Sequence, residues 1–135
     1  MTLGLDTSIV LRLLTGEPEA LARAATRRLE QAVADQETVI VTDLVAAEVY
    51  HALQHHYRMP EVEARALLRR LLASGVVHLD PSGALAAFEP AGGAGLLDRL
   101  IHARHQEAGA ATLTFDKRQA RLPGALLLGS DVSDR

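Results

Sequence analysis

Apolar and polar positions change period several times along this chain, and each change marks an element. Residues 3–6 form a short apolar run. Residues 9–14 continue as an apolar stretch of helical character, behind the hydroxyls of Thr7 and Ser8 and ahead of Gly16. Pro18 opens a second helix with Glu17 and Glu19 at its start, and Leu21, Ala25, Leu29 and Val33 recur every four residues as its apolar face. Thr38–Thr42 is β-branched and reads as a buried strand. Residues 43–57 form a helix on the spacing of Leu44, Val45, Val49, Ala52 and Leu53. Pro60 begins another, with Glu61 and Glu63 in its first turn and Gly75 at its close. Residues 76–79 read as a strand. Residues 81–95, with two prolines and four glycines, read as a loop around one weak helix at 85–88. A helix at 96–108 ends at Gly109. A strand at 111–115, a turn or short helix at 116–121 and a last strand at 125–128 complete the pattern, and the polar tail 129–135 is expected to fray. Strands alternating with helices predict an α/β fold, a parallel sheet with helices on both faces.

Composition narrows the picture. A length of 135 residues predicts a single domain with a full core. Hydrophobic residues make up 48% and charged residues 23%, a globular balance. Aromatics are 3% with no Trp, which argues against a base-stacking platform and makes the core aliphatic. The absence of Cys excludes disulfides, thiolate zinc sites and cysteine nucleophiles. Asp6 interrupts the first apolar run, unlike a signal peptide, and no run approaches the ~20 residues that span a bilayer, so a soluble cytoplasmic protein without a membrane partner is expected. The net charge of −3 is not that of a broad basic surface, although it leaves room for a local basic rim. All but one of the 14 basic residues are Arg, the side chain best suited to phosphate.

Four acids stand out against this frame. Asp6 and Asp116 each follow a strand, where α/β sheets build their sites. Glu48 and Asp98 lie in the apolar helical contexts Leu-Val-Ala-Ala-Glu-Val-Tyr and Gly-Leu-Leu-Asp-Arg-Leu-Ile. Each has a plain structural role open to it. Asp6 can cap a helix, Glu48 can pair with His51 or Arg58, Asp98 can sit at a helix N-terminus, and Asp116 can build a turn. Taken together they suggest more. Four converging carboxylates repel unless a cation joins them, and an all-oxygen set selects Mg²⁺ or Mn²⁺.

The segments Leu-Asp-Thr-Ser at 5–8, Leu-Val-Ala-Ala-Glu-Val at 44–49, Leu-Leu-Asp-Arg-Leu-Ile at 96–101 and Leu-Thr-Phe-Asp-Lys-Arg at 113–118 resemble the four acidic motifs of the PIN domain. Among PIN domains the chain is most similar to the VapC-type toxins of bacterial toxin–antitoxin pairs, and the resemblance runs over nearly its whole length. It implies a PIN-like three-layer fold, a central parallel sheet of four to five strands flanked by helices. It implies that Asp6, Glu48, Asp98 and Asp116 are the metal-binding acids, with Ser8 and Thr114 as hydroxyl groups orienting carboxylates or phosphate. It also implies an endoribonuclease using Mg²⁺ or Mn²⁺ and leaving a 5′-phosphate, a cognate small antitoxin whose tail covers the site, and a homodimer. Leu53, Leu67, Leu68, Leu71 and Leu72, on the helical pair at 45–72, are the expected docking surface for the antitoxin. The Gly-rich stretch 89–95 departs from the family pattern and suggests a mobile flap.

Arg12, Arg99, Arg104, Lys117, Arg118 and Arg121 lie near the motif segments and are candidates to hold phosphates. Glu48-Val-Tyr-His51 also fits a di-iron Glu-x-x-His motif, but such a bundle needs further Glu-bearing helices and not alternating strands. The six histidines are expected on the surface. An aspartyl phosphotransferase of the haloacid-dehalogenase kind wants Asp-x-Asp, and position 8 is Ser. A PIN fold serving only as an interaction module is the non-enzymatic alternative, disfavoured by the presence of all four acids.

Overall fold

A computed structural model of the chain describes residues 1–89 and 92–129, so the last six residues of the tail expected to fray lie outside the described residues. The chain forms two compact units, Met1–Phe88 and Glu89–Arg135.

The first unit runs β1 (Thr2–Gly4), α1 (Thr7–Thr15), α2 (Glu19–Ala34), β2 (Thr38–Thr42), α3 (Asp43–His55), α4 (Glu61–Leu72), β3 (His78–Asp80) and a 3₁₀ helix at Ser82–Phe88. Its sheet is parallel in the order β1-β2-β3, with Leu3 opposite Val39 and Val41 opposite Leu79. Each neighbour is reached through a helical pair, as parallel pairing requires. The central strand is apolar because Val39 and Val41 are buried between β1 and β3. Around it Val10, Val49, Leu53, Leu68, Val77 and Phe88 lose essentially all contact with solvent. Gly16 ends α1 at φ +73, a conformation an L side chain rarely adopts, and donates its N–H to the Arg12 carbonyl at 2.9 Å.

The apolar face of α2 differs from the four-residue repeat. Ala22, Ala25 and Ala32 are the buried residues, while Leu21 and Val33 are 54% and 55% exposed. Steps of four drift about 40° per step around a helix of 3.6 residues per turn, so a row from 21 to 33 leaves the core at both ends. On α3 and α4, Leu53, Leu68 and Leu72 are buried in the unit's own core and are not open for docking. The Tyr50 hydroxyl donates to Glu61 at the start of α4. Burial and then the Glu61 carboxylate push its pKa up to about 12, partly offset by Arg65, which pairs with Glu61 at 3.1 Å.

The second unit holds α5 (Leu96–Glu107), β4 (Thr112–Thr114), a 3₁₀ helix at Gln119–Arg121 and β5 (Ala125–Leu127). β4 and β5 pair in parallel, with Leu113 opposite Leu126. The five expected strands therefore form, but the sheet of the first unit has three strands and not four to five, and the other two pair as a separate ribbon. An apolar run marks a strand and says nothing of its partner, which is set by the crossover between them.

Candidate active site

Asp6 follows β1 and occupies the N-cap of α1 in an extended conformation. Its backbone carbonyl accepts the N–H groups of Ile9 and Val10 at 3.0 and 3.1 Å, but its carboxylate makes no capping bond. The capping role open to Asp6 is left unused, although an aspartate there ordinarily accepts from the first-turn N–H groups. Glu48 lies on α3, exposed, and its Oε1 accepts the hydroxyl of Thr7. The apolar context around Glu48 turns inward through Ala46, Val49, Tyr50 and Leu53, which leaves the carboxylate on the open side of the helix. Its partner is Thr7, and neither His51 nor Arg58. The packing of α1 on α3 thus brings Glu48 against the residue beside Asp6.

The sequence reading gave the Thr7 hydroxyl only a helix-capping role. The signal was a hydroxyl directly after the first aspartate. Ser8 is exposed and lines an apolar cleft between α1 and α2. Asp43, also overlooked, follows β2 as Asp6 follows β1. It bonds the N–H of Leu44 at 2.9 Å, while Thr42 caps α3 by accepting from Val45.

In the second unit Asp98 is the third residue of α5, half-buried, where the helix dipole favours a negative charge. Asp116 is exposed beyond β4. Its Oδ1 accepts the backbone N–H groups of Arg118 and Gln119 at 2.7 and 3.2 Å, and its own N–H donates to Thr114 Oγ1 at 2.9 Å. Thr114 therefore orients the aspartate through the backbone. Gln119, which sequence reasoning also missed, is buried and donates from Nε2 to the Asp98 carbonyl at 3.2 Å. Gln119 ties the Asp116 turn to the first turn of α5.

His102 corrects the expectation of surface histidines. It is 5% exposed, with Nε2 at 2.7 Å from the Pro123 carbonyl and Nδ1 at 2.6 Å from Thr112 Oγ1. The carbonyl can only accept, so Nε2 carries the proton. In the neutral ring Nδ1 then accepts from Thr112. His105 Nδ1 meets the same hydroxyl at 2.8 Å and donates to it. Both rings are structural pins. Gly92 and Ala94 of the Gly-rich stretch are held as well. Arg99 donates to the carbonyls of Ala94 and Gly92, each at 2.9 Å, and Pro90 and Ala91 lie outside the described residues.

Among the described residues no group of three or more His, Asp and Glu side chains gathers to hold a metal ion. Two of the acids, Asp6 and Glu48, belong to the first unit, and two, Asp98 and Asp116, to the second. Mg²⁺ keeps several waters and takes only one or two protein carboxylates. The oxygen-only donors of these acids, with the Asp6 carboxylate unused by its helix, fit such an ion.

The sequence model of the PIN domain family matches residues 4–125, a span that contains all four acids. The chain belongs to the PIN domain family. PIN domains are generally nucleases and typically use divalent metal ions. Searches of curated proteins and of solved structures gave no significant match. The mixed α/β architecture of this PIN domain, with its parallel sheet, is consistent with the family fold. Among its described residues no helix is long and apolar enough to cross a membrane.

Proposed function

We propose that this PIN domain is an Mg²⁺- or Mn²⁺-dependent endoribonuclease of the VapC type, the toxin of a toxin–antitoxin pair. The observation that carries the reading is the Asp6 carboxylate, placed after a strand and unused in capping the helix it precedes, with Glu48 held beside its neighbour Thr7. Asp6 and Glu48 of the first unit and Asp98 and Asp116 of the second are its metal-holding acids. A divalent cation held by these acids would supply a bound water of lowered pKa and would neutralise charge on the phosphate. Glu48, fixed by Thr7, takes a proton from the attacking water. Thr114 and Gln119 hold the Asp116 turn in place.

The antitoxin belongs to the same reading. With Leu53, Leu68 and Leu72 in the core, the apolar cleft of the first unit suits it better. That cleft has a volume of about 340 Å³ and is lined by Leu3, Leu5, Ile9, Leu13 and Leu21. Exposed Leu113, Phe115, Leu126 and Leu127 on the β4–β5 ribbon support a homodimer.

The test is cleavage of structured and single-stranded RNAs by antitoxin-free protein with Mg²⁺, Mn²⁺ or chelator, with Asp98→Ala as the contamination control. Metal-dependent cutting that Asp98→Ala abolishes is the expected result. Equal cutting by the variant would mark a contaminant and remove the support for these acids. No cutting, with no rise in melting temperature on adding metal, would favour the interaction module instead.

A further inference from the structure

We propose that the second unit carries a guanidinium-lined pocket that grips a phosphate of the RNA strand, an inference that rests on the ribonuclease reading above. Arg99, Arg118 and Arg121 line one cavity of about 360 Å³, with Gly92 and Pro123 in its walls. At roughly 30 Å³ per water, that is room for about a dozen water-sized groups, enough for a phosphate and part of its sugar.

Each arginine is positioned differently. Arg99 is held by the carbonyls of Ala94 and Gly92. These acceptors are neutral, so they fix the planar fork without cancelling its charge. Gly93, at φ +86, turns the loop around it, and a side chain at that position would be strained. Arg118 is set by the Asp116 turn, in which the carboxylate takes the backbone N–H. Arg121 ends the 3₁₀ helix that Gln119 anchors to α5.

None of the three guanidinium groups is ion-paired among the described residues. The pairs Arg23–Glu19, Arg28–Glu37 and Arg65–Glu61 all lie in the first unit. Three like charges around one cavity repel, and an anion with several acceptor oxygens relieves that repulsion. Guanidinium stays charged at every physiological pH and matches phosphate oxygens with paired donors. Arg99 adjoins Asp98, and Arg118 lies two residues past Asp116, so the pocket belongs to the same stretch of chain as two of the acids. A phosphate grip there fixes the position of the strand and reads no bases.

The full chain is titrated against a fluorescent ten-nucleotide single-stranded RNA in chelator, by anisotropy, at several salt concentrations. Arg118→Ala and Arg121→Ala replace exposed side chains, and Arg27→Ala on α2 removes a charge of the same sign elsewhere. Each pocket variant is expected to weaken binding about fivefold. The double variant should lower the salt slope by about 1.4, at about 0.7 per lost single-strand phosphate contact. Arg27→Ala should stay within about twofold of the parent chain. Equal losses in all three variants would reduce the effect to net charge and overturn the pocket. So would an unchanged double variant, or a chain that binds no RNA at low salt. Inorganic phosphate or a mononucleotide binding as tightly as the RNA would also overturn it, as a free-nucleotide site. Binding is read without metal, so the two readings fail separately. RNA held through these arginines but never cut would sink the nuclease and keep the pocket. Cutting with binding indifferent to them would do the reverse.

Discussion

The two units are held together by different physics. In the first, aliphatic side chains close the core, and the tightest positions are Val10, Val39, Val41, Val49, Leu53, Leu68, Val77 and Phe88. Among the described residues of the second, Ala94, Leu96 and Leu100 are the buried apolar ones, and all three buried polar residues of the described chain are there: His102, Thr112 and Gln119. Hydrophobic burial is non-directional and tolerates rearrangement, whereas a buried hydrogen bond fixes distance and angle but carries a penalty if one partner is lost. The acids follow the same division. Glu48 is brought to Thr7 by the packing of α1 on α3 and held there by one hydroxyl contact between distant helices. Asp98 and Asp116 are positioned by amide and hydroxyl contacts. A unit with few buried apolar residues can still position side chains if its polar groups pin one another.

Four measurements would break or sharpen this comparison. The largest effect belongs to the first core. Leu53→Ala, at a site with no solvent exposure, should destabilise the chain by about 2–5 kcal/mol in urea unfolding. A loss below about 1 kcal/mol would mean that the aliphatic core is not what holds that unit.

Next come the acids. Asp6→Asn and Asp98→Asn, one from each unit, should each slow metal-dependent RNA cleavage by about 100-fold or more, equivalent to about 2.7 kcal/mol, with little change in melting temperature. Unimpaired cleavage by either variant would confine the chemistry to the other unit.

His102→Ala comes third. It removes the acceptor of the Thr112 hydroxyl and the shorter of the two bonds to the Pro123 carbonyl, leaving those groups to His105 and Gln106, at about 1–3 kcal/mol. Amide exchange should quicken in α5 and β4 while Val39 and Val41 stay protected. Uniform loss of protection across both units would contradict their separate construction.

The smallest effect is at Tyr50. Tyr50→Phe removes one hydrogen bond to Glu61, at about 1 kcal/mol. The folded chain favours the neutral phenol, because its pKa there is raised from 10.0 to about 12. Stability from this group is therefore complete below pH 10 and declines as the pH rises from 10 toward 12. Thermal melts across that interval should show the decline in the parent chain, and less of it in Tyr50→Phe.

The hydrophobic pattern by itself determined which segments become helices and strands. Period and turn chemistry are local: a helix satisfies its own backbone, and a strand carries its apolar pattern before it meets the strand that bonds it. The Gly16 stop, the strand at Thr38–Thr42 and the helix after Pro60 were legible for that reason. So was membership of the PIN family, since the four acidic segments are short and linear and the match spans residues 4–125. The tertiary structure decided what those acids touch. The sequence around Glu48 offered His51 or Arg58 as its partner, but the packing of α1 on α3 put it on the open face against Thr7. No pattern marked Gln119 or His102 as buried pins, because a polar residue looks solvated until the group across from it is known. Likewise, the arginines at 99, 118 and 121 are merely near two motifs in sequence, and folding alone placed them around one cavity. Local periodicity encodes the elements, and side-chain partners come from contacts far apart in the chain.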